Sequence, residues 1–587
     1  MLRLGLDVHA PAPARPRAAR AGVSSSGRSC HGQVVLALVQ QVLNSCADRG
    51  LKVAPQLALE AVRLLRVNPD NLQPGAVDDL LCERPPRSLH DSDRPLRAAC
   101  VRFLEDKQAP GLAATRMRVA FRRKYRTPAD IAAERNRSTE SRVAPLLAEV
   151  LDDTDGDDGA LHPPRGRAGW VTTARKARAA PSGVYSERAL KERLYGSVVA
   201  AAVLRSGLGS PADPAVIKDA SAAMQSVYPA KELPHLLHLP AAARRAQLLE
   251  VCRISAGVRI FNWDCRGRQS RGLPQPRWPP VPSLVQEAAT VTQAVLLDSV
   301  EAVESRLWSA TAALETLFLG RVAAAEAPEP GGVDLELLKE TVIYLRQQQV
   351  LLRRLLEDVE QAKAEALRLT NQLEAGLADV HAVVQAKTAV PSNQVYPQFM
   401  SLASTWEALE TQAVVVSRAA NLHRRLEAYA QDVRTVRDEV VMAVLQDGGG
   451  EGARPTDAER VSGLLPALHG GPAGAEAARR RLARDLERGD VAAQLEGFCP
   501  WFLAVSGGGL VPGCPALGLC ESGTEATDMC GDAGRLYALS SLQAAELFSA
   551  DPDKWIQRAL EEVRRRPALV GLLGLGDELA PPASEPR

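Results

Sequence analysis

The sequence predicts a mainly α protein: a multi-domain helical scaffold with long antiparallel helices and a small C-terminal α+β domain. Three observations predict it. Aromatic residues make up only 4% of the 587 residues, whereas sandwiches, barrels and stacking-based RNA modules draw on aromatic and β-branched side chains. An apolar seam spaced by threes and fours runs from Leu338 to Val384, the period of a helix that buries one stripe. Near the C-terminus the apolar runs are instead short and bounded by Gly and Pro, as strands are. A length of about 150 residues per domain allows roughly four folding units, enough to bury several cores without disulfides or metals.

Charge and cysteine usage narrow the function classes. Basic and acidic residues number 71 and 70, a net of +1, so no chain-wide field draws the protein onto nucleic acid or a membrane surface, and neither is expected as a partner. Arginines outnumber lysines 60 to 11, a composition bias that makes a single Arg cluster weak evidence by itself. The ten cysteines form no CxxC pair and read as reduced thiols, unlike a disulfide scaffold or a paired zinc site. No run of 18 apolar residues is present, so no bilayer-spanning helix is expected. Residues 1–30 carry Arg3, Arg15, Arg17, Arg20 and Arg28 against Asp7. They are read as a disordered tail that stays with the protein, a transit peptide being the alternative.

The elements then follow in order. Residues 31–150 form an N-terminal helical domain, with stripes at Val34, Val35, Leu38, Val42 and Leu43 and at Leu57, Ala61, Leu64 and Leu65, stopped by Asn68-Pro69-Asp70. Residues 151–183 open with an acid run from Asp152 to Asp158 and are too poor in apolar side chains for a core, hence a disordered linker. A calcium loop is not supported, because Asp158 stands where Gly is needed. Residues 184–265 are a second helical domain: Gly207 suits a left-handed helix end, and Asp213-Pro214 is an acid N-cap followed by Pro at the first helical position. Ile217, Ala220, Met224 and Val227 mark its buried face. Residues 266–283, with Pro274, Pro276, Pro279, Pro280 and Pro282, form a Pro/Arg-rich linker. An SH3-type ligand is the alternative reading of that Pro spacing.

Residues 284–446 are the long-helix bundle. Positions 334–387 read as one helix of about 80 Å, whose seam only Gln349, Lys363 and Thr370 interrupt. Similar seams at Leu296–Phe318 and Phe399–Leu445 supply antiparallel partners. Residues 447–494 are a Gly/Pro-rich linker with a helix. Residues 495–587 are the α+β domain: strands are expected at Trp501–Val505, Leu517–Cys520 and Arg535–Leu539, a capping box at Ser540 with Gln543, and a second helix after Asp551-Pro552 that buries Trp555, Ile556, Ala559 and Leu560.

Catalytic chemistry is weakly represented. No Walker A sequence occurs, and all nine histidines lie between His9 and His469, so neither a Ser-His-Asp nor a Cys-His arrangement can be built inside the C-terminal domain. Cys499, Cys514, Cys520 and Cys530 fit no common zinc spacing, and His235 and His238 sit beside Pro234 and Pro240 in what reads as a surface turn. No catalytic residue, metal ligand or cofactor is therefore expected. The one basic cluster of interest is Arg116, Arg118, Arg122, Arg123, Lys124 and Arg126, six positive charges without an acid among them. It suits a polyanionic surface, while the interleaved Met117, Val119, Ala120, Phe121 and Tyr125 allow the plainer reading of a helix with one solvated side.

Four stretches resemble the cilia- and flagella-associated protein 206 family: Val203–Pro211, Leu248 through Gly257–Asn262 to Asp264-Cys265, Ala389–Ser392 with Gln394–Pro397, and Gly497-Phe498-Cys499 with Leu510–Gly513. The likeness covers 184–560 well and 31–145 weakly. Departures are Arg266, Cys514 and inserted stretches at 74–92, 152–180, 267–280 and 520–534. The resemblance implies a non-enzymatic adaptor of the cilium or flagellum axoneme that sits on the doublet microtubule and helps dock a radial spoke, through its base proteins, and inner-arm dynein. On that footing the basic cluster becomes a candidate microtubule contact. The alternative is an enzyme or metal-binding protein centred on the C-terminal domain, whose Tyr537, Phe548 and Pro552 pattern is faintly similar to small YHS-type modules.

Overall fold

The structure is a computed structural model that describes residues 26–71, 94–151, 187–269, 281–323, 333–385, 390–447, 456, 457, 459, 491–514, 534–576, 578 and 579. The acid run at Asp152–Asp158, the Pro274–Pro280 segment, most of the 447–494 linker and Leu517–Cys520 lie outside them, as do residues 1–25 of the expected tail.

Helices dominate. The chain order is α1 (Ser26–Asp48), α2 (Pro55–Leu65), α3 (Arg94–Glu105), α4 (Pro110–Lys124), α5 (Pro128–Leu151), α6 (Glu187–Ser206), α7 (Pro214–Val227), α8 (Leu233–Leu237), α9 (Ala241–Gln269), α10 (Val281–Ala323), α11 (Leu335–Gln385), α12 (Ser392–Ala430), α13 (Asp438–Asp447), α14 (Pro500–Ser506), α15 (Leu542–Ala550), α16 (Pro552–Arg565) and α17 (Pro567–Leu572). The strands described are β1 (Val491–Ala493) and β2 (Gly534–Leu536), paired in parallel.

The long seam is one helix: α11 runs 51 residues without interruption. Its three polar breaks are each accounted for. Gln349 Nε2 donates to Glu304 Oε1 at 3.2 Å, Lys363 Nζ donates to Gln293 Oε1 at 2.9 Å, and Thr370 Oγ1 donates back to the Ala366 carbonyl at 2.7 Å. Burial of these groups is tolerated because each hydrogen bond offsets the desolvation of its polar atoms. Rising numbers on α11 meet falling numbers on α10, Arg353 pairing with Glu304 and Lys363 with Gln293, so the two run antiparallel.

Backbone contacts divide the chain into two units, and the division falls inside α10, α11 and α12. Among the described residues, the first unit holds those up to Lys124, Leu296–Leu355 and those from Leu422 onward. Its N-terminal core is built by Leu38, Val42, Leu57, Ala61, Leu65, Cys100, Leu104 and Leu112. Within the same unit the last helices pack through Phe318 on Phe502 at 5.3 Å between ring centroids and Trp501 on Trp555 at 6.4 Å. Arg566 joins α17 to α11 through Glu336 and Glu340. The C-terminal stretch is therefore part of this unit's packing.

Several expectations are corrected here. An α+β domain at 495–587 is not supported. Trp501–Val505 lies in helix α14, with Pro500 at the first helical position and the Cys499 thiol capping Phe502 N at 3.4 Å. Extended structure among the described residues is confined to three-residue β1 and β2 and to two isolated bridges, Phe498 with Pro512 and Cys514 with Leu539. The cap of α15 is Ser541, one residue beyond the expected Ser540. Asp551 caps α16 as expected, accepting from Lys554 N at 3.2 Å; Ala559 is buried beneath it while Trp555, Ile556 and Leu560 are half-buried. Helix α1 starts at Ser26, inside the stretch expected to be a tail, and α9 and α10 shorten the 266–283 linker from both ends.

The second unit holds Tyr125–Val295 and Leu356–Asn421. Helix α5, expected with the N-terminal helices, belongs here because Val143, Leu147 and Val150 join one core with Leu190, Leu194, Val198, Met224 and Leu236. Gly207 ends α6 with φ of 66°, the left-handed position where Gly carries no Cβ penalty. Asp213 caps α7 by accepting from Ala215 N at 2.8 Å. Buried Arg259 secures the intervening turn, donating to the Leu208 carbonyl at 2.7 Å and to Asp219 at 3.1 Å. A second core joins α9, α11 and α12 through Ile254, Ile260, Leu373, Leu377, Phe399 and Trp406. Beside it, fully buried Asp264 meets His381 Nε2 at 2.7 Å, and the imidazole rests 4.6 Å from the Phe261 ring.

Candidate functional site

The basic cluster is built by α4 and the turn after it. Pro110 starts the helix at the position where a missing N–H costs nothing. Leu112, Ala113, Met117 and Phe121 form its buried face, and Arg122, Arg123 and Lys124 occupy its last turn, where cations meet the negative end of the helix dipole.

The six predicted residues do not act as one surface. Arg118 is 7% exposed and forms an ion pair with Glu60 of α2. Its guanidinium lies against Gly571 of α17, where any side chain would collide with it. Burial pushes the Arg118 pKa down to about 10, while the Glu60 carboxylate works in the opposite direction. A buried, paired guanidinium cannot meet an external polyanion, so Arg118 is removed from the candidate contact. Arg116 is half-buried, donating to the Lys107 carbonyl at 3.4 Å, with its pKa lowered by burial. Arg122, Arg123, Lys124 and Arg126 are exposed. Arg122 also reaches Glu60 Oε1 at 3.3 Å, and Arg126 donates to the Tyr125 carbonyl at 2.7 Å. Arg126 belongs to the second unit, and the other five to the first.

Sequence reading missed two further arginines. Arg63 of α2 and Arg66, which caps the C-terminal end of that helix, join Arg118 and Arg122 around an open cavity of about 680 Å³ whose wall includes Leu36, Leu59 and Val570. The available signal was the spacing Glu60, Arg63, Arg66, which puts all three on one helical face.

The other candidates take structural places. Cys499 is a helix cap, Cys514 lies buried in the bridge to Leu539, and Cys520 and Cys530 lie outside the described residues. Among the described residues no group of three or more His, Cys, Asp or Glu side chains is gathered to hold a metal ion. His235 and His238 are exposed at α8, the surface turn expected of them. No helix among the described residues is long and apolar enough to cross a membrane. The paired stretches Gly497–Cys499 and Leu510–Gly513 hydrogen-bond to one another, Cys499 N to the Val511 carbonyl and Gly513 N to the Gly497 carbonyl, each at 3.0 Å.

The FAP206 family model, described as a domain of unknown function, matches residues 284–580. Proteins called cilia- and flagella-associated protein 206 are similar along most of the chain. The one from Mus musculus is 28% identical over 92% of this chain and 77% of its own length, and the one from Homo sapiens is 26% identical over the same shares. The Tetrahymena thermophila protein of that name is 22% identical over 61% of this chain and 52% of its own. No solved structure matches.

Proposed function

The chain belongs to the cilia- and flagella-associated protein 206 family, and from that membership we propose that it is a non-enzymatic adaptor on the doublet microtubule of the axoneme. A cilium- or flagellum-associated helical protein is the firm part of this reading. Docking of a radial spoke and an inner-arm dynein is the finer part, and it supports motility. The observation that carries the proposal is the match to family members over 92% of the chain. The 51-residue α11 and its antiparallel neighbour supply length for contacts with separate partners.

The microtubule contact is assigned to Arg122, Arg123 and Lys124 in the first unit, with half-buried Arg116 at its margin and Arg118 excluded, and, as a separate contribution, to Arg126 of the second unit. Each exposed pair with a tubulin carboxylate is worth only about 0.2–1 kcal/mol, but several on one lattice gain from effective concentration. Co-sedimentation of the full chain with microtubules tests this. A single Arg→Ala change at Arg123 should be nearly silent, and reversing all four charges to Glu should release the chain. Binding should also weaken with salt, because exposed pairs are screened over about 8 Å at physiological ionic strength. Binding that ignores both salt and the fourfold reversal would remove the cluster from the contact.

A further inference from the structure

We propose that the cavity between α1, α2, α4 and the C-terminal α17 is a docking groove for an extended acidic peptide of a partner protein, one that carries an aliphatic side chain among its carboxylates. The inference goes beyond the microtubule contact and shares only Arg122 with it.

Charge selects the partner's sign. Among the described residues, the guanidiniums of Arg63, Arg66, Arg118 and Arg122 line the cavity, against the one carboxylate of Glu60. Glu60 is committed to buried Arg118 and touches Arg122, so the positive charge that the lining turns outward is that of exposed Arg63 and Arg122. The volume, about 680 Å³, falls in the range of ligand-binding clefts. Guanidinium forks recognise carboxylates through paired N–H donors, more specifically than an ammonium would.

The wall decides against a simple anion. Leu36 is 62% exposed on α1, and half-buried Leu59 lies on the same cavity. A free phosphate or a nucleic-acid backbone satisfies the arginines but gives these leucines nothing to bury, whereas an aliphatic residue between acidic ones does both. The chain's own N-terminal segment has the wrong sign: residues 1–25 carry Arg3, Arg15, Arg17 and Arg20 against Asp7 alone.

The test measures binding of a fluorescein-labelled twelve-residue peptide of alternating Glu and Leu to the full chain by anisotropy, with the Gln/Leu peptide as control. The Glu/Leu peptide should bind and weaken with added salt, and the Gln/Leu peptide should bind at least about tenfold more weakly. Arg63→Glu removes an attraction and adds a repulsion, about five- to thirtyfold in Kd. Leu36→Asp should cost a similar factor, and Arg123→Glu, which is not in the lining, less than about twofold. All three side chains are exposed, and unchanged melting confirms that the fold survives. Equal binding of the two peptides overturns the proposal. So does indifference to both Arg63→Glu and Leu36→Asp, or competition by oligo-dT or inorganic phosphate as effective as the unlabelled peptide. Co-sedimentation is read separately, so intact peptide binding with no microtubule binding counts against the adaptor contact alone.

Discussion

The same chemical change, Gly→Ala, should have opposite signs at two helical positions of the second unit. At Gly257 in α9, an added Cβ would stand 2.5 Å from the carbonyl carbon of Phe399 and 2.7 Å from its Cα, where ordinary contact begins at 3.4 Å. The obstructing atoms are backbone, so no rotamer change relieves them, and α9 and α12 must separate by about 1 Å. Overpacking of this kind costs about 1–3 kcal/mol; with rigid atoms the upper end applies. At about 2–4 °C per kcal/mol for a unit of this size, Gly257→Ala should lower its transition by about 6–12 °C. Gly196 in α6 is exposed, and nothing lies within 4 Å of the equivalent Cβ. There Ala removes backbone freedom from the unfolded chain and should stabilise by about 1 kcal/mol, raising the transition by about 2–4 °C. Differential scanning calorimetry gives the shifts, and amide exchange over α9 and α12 assigns the transition, which matters because a multi-unit chain need not melt in one step. A Gly257→Ala protein that melts no lower than wild type, or two variants that shift the same way, would refute the close-crossing argument.

Removing Glu60 as Glu60→Ala should destabilise the first unit by about 3–5 kcal/mol, because Arg118 is left buried without its carboxylate, and the double change Glu60→Leu with Arg118→Met should recover most of that in urea titrations. Trp406 is 2% exposed, and Trp406→Ala should cost about 3–5 kcal/mol, read in the same titrations as a lower midpoint for the second unit. His423 is buried, 2.9 Å from Ser299 Oγ and 3.6 Å from Glu427; burial lowers its pKa and Glu427 opposes the shift. A depressed histidine binds fewer protons folded than unfolded, so its contribution is present above the unfolded value of about 6.5 and is lost as pH falls through the folded pKa. Melting temperature measured from pH 8 to pH 5 should therefore drop more steeply for wild type than for His423→Gln.

Local, one-dimensional signals were legible in the sequence. The α11 seam, the Gly207 helix end and the Asp213 and Asp551 caps depend on residues within a few positions of one another, and each stands where the spacing puts it. The C-terminal reading went astray because an apolar run of five such as Trp501–Val505 fits a buried strand or a buried helix equally well. Pro500 and the Cys499 cap were the overlooked arbiters. In the basic cluster, the charges were visible and the burial was not: the partner that draws Arg118 inward is 58 positions away, and Gly571 is farther still. The missed Arg63 and Arg66 share the cause, because only the packing of α2 beside α4 gives them a common cavity with Arg122.

The seating of α17 against Arg118 bears on how the chain is made. Glu60 and Arg118 leave the ribosome early, yet Gly571, the backbone that covers the guanidinium, is synthesised about 450 residues later, roughly 20–90 s at ordinary elongation rates. During that interval the N-terminal helices hold a half-covered ion pair and an open apolar flank, the kind of surface that chaperones recognise. Nascent chains stalled before Pro567 should stay protease-sensitive around α2 and α4, and chains in which α17 has left the ribosome should have that window closed.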